Sequence, residues 1–372
     1  MNRLSVSREA LLKGLGGVAG IVERRQTLPV LANVLMQPQG GDLALTTSDM
    51  EIQMRVRTAV GEGHTASADL QPTTVNARKL IDILRAAPAS DATLEWMDGK
   101  FTVRCGKSRF SLQTLPADDF PLVKEAADYS EQPLVIGQGQ LKRMLGLVHF
   151  AMAQHDIRYY LNGLLLVADG HQLTLVSTDG HRLALVMSQV EGLADKREVI
   201  LPRKTVMELL RLLSDGDEPI EIRFASNQAR LTFGSVDLVS KLVEGKFPDY
   251  QRVVPKGHKF HLTLPRQALL AALQRVAIVT SDKFKGVRIN LEPANLRISS
   301  TNAEQEEAQE ELDVEYNGDA IEIGFNVAYL IDVLSNLPGE TVRLDLLDGN
   351  SSVLLTLPDD ATFKYVVMPM RI

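Results

Sequence analysis

Apolar side chains recur at helical spacing six times along the chain, in two sets of three. The first set occupies segments 7–22, 140–153 and 265–279, each following a strand-like stretch. Their stripes are Leu11, Leu12, Leu15 and Val18; Leu141, Met144, Leu145 and Val148; and Leu269, Leu270, Leu273 and Val276. Steps of three and four residues place such positions on one face of a helix. The second set spans 76–87, 202–213 and 326–337 and includes the near-identical strings Leu80-Ile81-Asp82-Ile83-Leu84 and Leu330-Ile331-Asp332-Val333-Leu334. Asn76 and Asn326 suit N-caps, and Pro202 suits a first helical turn.

Between the helices the period changes to two, which marks strands with one buried face. Three of these strands end in a small hydroxyl or amide cluster: Leu43-Ala44-Leu45-Thr46-Thr47-Ser48-Asp49, Leu173-Thr174-Leu175-Val176-Ser177-Thr178-Asp179 and Leu296-Arg297-Ile298-Ser299-Ser300-Thr301-Asn302. Two further strands close each copy. The first two copies exit through Leu115-Pro116-Ala117-Asp118-Asp119-Phe120-Pro121 and Leu242-Val243-Glu244-Gly245-Lys246-Phe247-Pro248, which read as linkers. Internal repetition at this period outweighs any local motif. The expectation is an α+β fold of three similar domains, each two helices packed on antiparallel sheet, at 1–124, 125–256 and 257–372, an ordinary domain size.

A chain of 372 residues with 45% hydrophobic and 23% charged residues has ample core for two or three domains and no disordered tract. The single cysteine, Cys105, excludes an intrachain disulfide and fits a reducing compartment. No run of 18 apolar residues exists and the first residues lack a signal-peptide core, so a cytoplasmic, non-membrane location is expected.

The net charge of −7 argues against a protein that coats DNA with its whole surface. Its distribution says more. Cations gather on the predicted helices or at their starts: Arg8 and Lys13, Arg24 and Arg25, Arg78 and Lys79, Lys142 and Arg143, Arg203 and Lys204, Arg266 and Arg275. One such pair alone reads as a solvated helix face. Recurrence in repeated units suggests instead a basic surface that contacts phosphates without reading bases. The second helix of the third copy, with Asn326 and Tyr329, lacks the pair. Glu304-Gln305-Glu306-Glu307-Ala308-Gln309-Glu310-Glu311 is the densest acidic run, whereas 100–109 holds four cations and no acid.

Catalytic and cofactor motifs dissolve on inspection. Gly106-Lys107-Ser108 ends like a phosphate-binding loop, but Phe101 stands where that loop needs glycine. Gly14, Gly16 and Gly17 lie inside a helical pattern, not at a strand-to-helix turn. Asp169-Gly170-His171 and Asp179-Gly180-His181 read as turns, and His258 and His261 have no acidic neighbour in sequence. No catalytic residue, metal or cofactor is expected. Two other readings are an enzyme built around Asp179, His181 and Arg182, and a repeat scaffold that binds peptides without DNA.

Four strings then carry a family resemblance over the whole chain: Asp156-Ile157-Arg158-Tyr159-Tyr160-Leu161-Asn162-Gly163, Thr178-Asp179-Gly180-His181-Arg182-Leu183, Ser240-Lys241-Leu242-Val243-Glu244-Gly245-Lys246-Phe247-Pro248-Asp249-Tyr250, and Tyr365-Val366-Val367-Met368-Pro369-Met370-Arg371-Ile372. In these the chain resembles the bacterial DNA sliding clamps, the β subunits of DNA polymerase III. The resemblance implies a non-enzymatic processivity factor: a head-to-tail homodimeric ring of six similar domains, helices lining the hole, encircling duplex DNA irrespective of sequence. It also implies a clamp loader that opens the ring, and a replicative DNA polymerase and other partners carrying a short clamp-binding peptide.

Residue by residue, the resemblance assigns a partner-peptide pocket to Arg158, Leu161, Thr178, Gly180, His181, Arg182, Leu183, Pro248, Arg252, Val253, Asn326, Tyr329, Ser352, Val366, Val367, Met368, Pro369, Met370 and Arg371. DNA contacts fall on Arg25, Arg78, Tyr159, Tyr160 and Lys204. The dimer interface pairs Lys100, Arg104, Lys107, Arg109 and Phe110 with Ile278, Val279, Glu304, Glu306, Glu307 and Glu310, and opposite charge at the two ends of a linear repeat favours head-to-tail closure. Two positions depart from the family pattern, Lys107 and Gln251, where arginine is more familiar.

Overall fold

A computed structural model describes residues 2–23, 28–60, 70–191, 195–281 and 285–372. The repeat is present as an α+β fold. The strand-led helices are α1 (Arg8–Val18), α3 (Gln138–Val148) and α6 (Arg266–Val276), each finishing in a 3-10 turn, Ala19–Ile21, His149–Ala151 and Ala277–Val279. The second set is α2 (Ala77–Ala86), α4 (Arg203–Leu212) and α7 (Val327–Asn336), with a one-turn helix α5 (Tyr250–Val253) before α6. Asn76 and Asn326 do cap their helices, accepting from Lys79 N and Ala328 N at 3.0 Å. Pro202 instead ends the strand Arg197–Pro202, because its fixed φ suits the extended residue before the helix as well as the first turn.

The chain forms two compact units, the first from Met1–Gly139 with Arg211–Leu242, the second from Gln140–Leu210 with Val243–Ile372. The middle copy therefore supplies strands to both. In the first unit a twelve-stranded sheet joins copies one and two where Ile52–Ala59 pairs antiparallel with Val236–Lys241, Met54 opposite Leu238. Helix α1 packs on Ile52–Ala59 through Leu11, Gly14 and Leu15. Gly14 cannot be larger: a Cβ there would sit 2.0 Å from Thr58 Oγ1 and 2.9 Å from Leu45. Gly14 and Gly17 serve helix-on-sheet contact, whereas Gly16 faces open space.

In the second unit an eight-stranded sheet joins copies two and three where Arg182–Gln189 pairs antiparallel with Asp360–Val367, Leu183 opposite Val366. A separate four-stranded sheet has Glu307–Asp313 at one edge. Edge-to-edge strand pairing thus joins one copy to the next at both internal joints. Among the described strands, only two bury no side chain, Ser108–Leu115 and Glu307–Asp313. The first hydrogen-bonds Lys100–Cys105 along its length but meets Thr73–Asn76 only at Thr114 and Leu115. Long open edges of this kind invite pairing with another chain.

Candidate functional site

At the second joint the chain encloses a cavity of about 240 Å3. Four segments converge on it: the 3-10 turn Tyr159–Leu161, the turn after Gln172–Thr178, the exit segment with Pro248 and Val253, and the end of the last strand with Val366 and Met368. The floor is buried, with Leu161, Leu183 and Val366 at most 2% exposed and continuous with a core of Leu165, Val176, Ile200, Phe247 and Leu354. Met368 stands on the rim, 42% exposed. An apolar floor with a few fixed polar groups suits a peptide carrying hydrophobic anchors.

The polar rim is held by two carboxylates. Asp179 Oδ1 accepts from His181 N (2.9 Å) and Arg182 N (3.1 Å), fixing the turn, while its Oδ2 accepts from Arg182 Nε at 3.1 Å. Both Asp179 oxygens are thus spent on holding the turn and orienting Arg182. Asp156 grips Arg158, accepting from Nε at 3.0 Å, from Nη2 at 2.9 Å and from the main-chain N at 2.8 Å. These bonds from Arg158 hold the Asp156 carboxyl down at about 2. The Arg158 guanidinium passes over Gly180, where a Cβ would stand 3.2 Å from both terminal nitrogens; φ of +93° adds a second reason for glycine.

Below the rim, Arg182 ties the two copies together. Its side chain is 9% exposed, Nη1 donates to Asp332 Oδ2 (2.6 Å), Nη2 to Phe150 O (2.7 Å), and the guanidinium lies 4.5 Å from the centre of the Tyr329 ring. Burial opposes the charge, but Tyr365, Asp332 and Asp179 outweigh it and raise the Arg182 pKa. Tyr365, buried and donating to Tyr329 O at 2.9 Å, has its own pKa pushed up by burial. His181 stacks on Tyr329, ring centres 6.5 Å apart.

Eleven residues assigned to the pocket line this cavity: Arg158, Leu161, Thr178, Gly180, His181, Arg182, Leu183, Pro248, Val253, Val366 and Met368. The other eight do not. Tyr329 acts from behind, through Arg182 and His181. Asn326 caps α7, Val367 is buried in the sheet, and Arg252 is exposed and pairs with Asp249 at 2.9 Å. Met370 N donates to Gly324 O at 2.8 Å, Pro369 and Ser352 are half-buried, and Arg371 is exposed.

Of the residues assigned to DNA, Tyr160 lines the cavity and packs on its core, whereas Tyr159 is 74% exposed. Arg78 is exposed and donates to Val22 O at 2.7 Å, Lys204 is half-buried at the start of α4, and Arg25 lies outside the described residues. Of those assigned to the interface, Lys100, Arg104, Lys107, Arg109 and Phe110 are exposed, with Gly106-Lys107 forming a hairpin turn. Ile278 is 80% exposed, Val279 half-buried, and Glu304, Glu306 and Glu307 exposed. Glu310 is held by Arg275 at 2.8 and 2.6 Å, which lowers its pKa.

Sequence reasoning passed over Asp156 and Asp332. Asp156 was visible in the string around Arg158, but Asp332 bonds Arg182 across 150 residues and leaves no local signal. His261, without an acidic neighbour in sequence, meets Asp345 at 2.5 Å across the strand pair, with Arg343 beside it. Among the described residues no cluster of His, Cys, Asp and Glu could hold a metal, and no helix is long and apolar enough to cross a membrane.

Fold and cavity define a protein class: three similar α+β copies in one chain, joined by strand pairing, with a preformed apolar pocket at the second joint. Sequence models for the N-terminal, central and C-terminal domains of the DNA polymerase III beta subunit match residues 2–124, 135–249 and 251–371. The chain belongs to this family, the bacterial DNA sliding clamps. It is 47% identical to the beta sliding clamp of Pseudomonas putida over 99% of both chains, and 44% identical to that of Escherichia coli K12 over the whole of both. The crystal structure of the DNA polymerase III subunit beta from Pseudomonas aeruginosa superposes with a TM-score of 0.93 at 45% identity, covering all of both chains. Another structure of the Pseudomonas aeruginosa clamp, with griselimycin bound, superposes equally well.

Proposed function

We infer that this sliding clamp gives processivity to replication by encircling duplex DNA as a head-to-tail homodimer of three-domain protomers, with domains at 1–124, 125–256 and 257–372. The observation that carries the reading is the pair of open strands. At both internal joints the last strand of a four-stranded half pairs with the last strand of a half of the next copy. The same rule applied once more brings Glu307–Asp313 against Ser108–Leu115 of a second chain. Among the described strands, those are the two that bury no side chain. Their charges are complementary, with Glu304, Glu306, Glu307 and Glu310 on one side and Lys100, Arg104, Lys107 and Arg109 on the other, and Phe110, Ile278 and Val279 supply apolar area. Two such heterologous joints close a ring.

In this reading the chain performs no chemistry. Cations including Arg25 and the helix-borne Arg78 and Lys204 face the duplex and contact phosphates only, so the ring slides. The cavity at the second joint receives a hydrophobic peptide segment from the polymerase, from the clamp loader that opens the ring, and from other partners in the cytoplasm, one at a time. Sedimentation of the purified protein tests the ring: twice the 41.0 kDa chain mass supports it, and a monomer at micromolar concentration contradicts it. Removing residues 368–372 is expected to abolish peptide binding, because the Met368 side chain leaves the rim and the bonds from Met368 N to His181 O and from Met370 N to Gly324 O are lost with it, while the dimer mass is kept.

A further inference from the structure

The segment that leads into the third copy carries a histidine that belongs to neither the pocket nor the interface. Residues 254–259 run from α5 to the strand Phe260–Pro265, the edge of the eight-stranded sheet. That strand pairs with Thr341–Leu346, His261 opposite Asp345 and Thr263 opposite Arg343. At one end of the segment, Lys259 N donates to Leu346 O at 2.9 Å and ties the chain to the sheet. The other end is the wall of the peptide pocket, where Val253 lines the cavity and Val254 packs on the core beneath it.

His258 sits between these two anchors. Its Nε2 is buried and has no hydrogen-bond partner among the described residues. The charged and titratable groups acting on it come from both strands, His261 on one, Arg343 and Asp345 on the other, while Lys256 and Lys259 of its own segment are exposed. Asp345, 7% exposed, supplies the carboxylate. Its Oδ1 accepts from Arg343 Nε at 2.7 Å and meets His261 Nδ1 at 2.5 Å, and Arg343 Nη2 stands 3.0 Å from the same imidazole nitrogen. One buried carboxylate oxygen thus already serves two neighbours. A neutral imidazole tolerates the place of His258, because a bare Nε2 leaves only a lone pair unmet. A further proton would put a charged N–H there without an acceptor, which is costly for any buried donor. Burial lowers the His258 pKa; Asp345 opposes this, and His261 and Arg343 add to it. With the folded value below the ordinary imidazole value of about 6.5, the docked state is fully favoured above that pH and loses ground as pH falls through the lowered folded value.

We propose that His258 is an acid-sensitive catch for the peptide pocket: neutral, it keeps the segment docked on the strand pair and Val253 in the pocket wall; protonated, it leaves, the segment loosens and partner peptides are released. Only residues 254–257, which carry no helix or strand, separate Val253 from His258, so the coupling path is short. The inference rests on the pocket being a peptide site and concerns how protons control it.

The test uses full-length protein and a labelled peptide with hydrophobic anchors, with anisotropy read between about pH 8 and about pH 5.5. His258→Gln keeps a polar side chain that cannot titrate, and is expected to bind like wild type at the upper pH. At the lower pH the wild type loses about threefold to tenfold more affinity than the variant, within the roughly tenfold per pH unit that one linked proton permits. The comparison cancels the responses of His181, in the pocket itself, and of His261, since both proteins carry them. Equal losses would overturn the proposal, and so would a variant already weakened at the upper pH, which would mark His258 as packing alone. Hydrogen exchange reads the loosening directly: in acid the Lys259 N–H exchanges faster in wild type than in His258→Gln, and equal rates would contradict the catch. NMR titration of the His258 ring needs no variant; a midpoint below the ordinary imidazole value is expected, and one at or above it would overturn the proposal. A peptide that binds neither protein at any pH takes the pocket reading down as well, whereas normal binding with no difference in acid removes only this inference.

Discussion

The two internal joints share a main chain and differ in what their side chains leave open. At the first, Ser48 Oγ accepts from Met50 N at 3.1 Å and Asp49 Oδ1 from Glu51 N and Ile52 N at 3.0 and 2.7 Å. At the second, Thr178 Oγ1 accepts from Gly180 N at 3.1 Å and Asp179 Oδ1 from His181 N and Arg182 N at 2.9 and 3.1 Å. Even the link to the next copy recurs, Lys241 N to Glu51 O at 2.8 Å and Met368 N to His181 O at 2.9 Å. Strand pairing places Gln53 opposite Ser48 and Leu183 opposite Thr178, so these two residues occupy equivalent positions.

That position separates a sealed joint from an open one. Gln53, 4% exposed, accepts from Val123 N at 2.9 Å and draws the exit segment down onto the joint. Gln228 adds three bonds, to Ala126 N, Lys124 O and Tyr129 Oη. Leu183 has no acceptor to offer; the second exit segment runs through Pro248 and α5, and a cavity remains. One backbone frame, repeated, yields a joint with its exit segment drawn down or a joint with a cavity according to whether its central side chain hydrogen-bonds or not.

The largest effect is expected where the same joint rule is extended to a second chain. Ile278→Asp with Val279→Asp puts charge into an apolar contact and should raise the dimer dissociation constant by a factor on the order of 100 or more; an unchanged dimer mass by sedimentation would refute the interface. Next is Arg182→Ala at the open joint. It strands Asp332 and the Phe150 carbonyl, and unfolding in denaturant should show a loss of about 3 kcal/mol, the low end for a broken buried pair because Asp332 is partly exposed. The second and third copies were predicted as separate units of the sequence, and the denaturation curve would show that they are energetically tied.

Gln53→Leu brings the first joint toward the second. It leaves Val123 N without its buried acceptor and should cost about 2 kcal/mol, with peptide affinity at the second joint unchanged. Met368→Ala acts the other way, leaving Tm within about 1 °C and weakening a hydrophobic-anchor peptide about tenfold, or 1.4 kcal/mol, by calorimetry. The smallest effect concerns Asp156. Its folded pKa of about 2 lies below the ordinary carboxylate value, so its grip on Arg158 is complete above about pH 4 and fades only as pH falls toward 2. Asp156→Asn should therefore alter peptide affinity by the same factor at pH 5 and pH 8; a factor that shrinks toward pH 5 would show that the carboxylate titrates there.

How much of this was legible follows from how far each signal reaches along the chain. Helices spanning about three turns with one apolar stripe announce themselves, and α2 and α7 lie within one residue of the bounds their periodicity predicts. Their Asn76 and Asn326 caps act across two or three residues, so sequence reveals them. The 3-10 endings after α1, α3 and α6 were merged into the helices, because apolar spacing continues unbroken through Ile21, Phe150 and Val279. The pocket was half legible. Leu161, Leu183 and Val366 carry an apolar character that periodicity detects, but only folding sets Val366 opposite Leu183 across 183 residues. Tyr160, assigned to DNA, turns inward because its ring packs on the core around Leu165 and Phe247. Asp332 has no counterpart in any local pattern.

The central claim is topological, and one measurement addresses it directly. Labelled protein is loaded onto a nicked circular plasmid by a bacterial clamp loader with ATP, separated by gel filtration, and filtered again after a single cut in the plasmid. Retention on the circle and loss from the linear form is the predicted result, since only a closed ring responds to a distant end. Equal retention on both forms would mean ordinary surface binding to the duplex and would contradict the account.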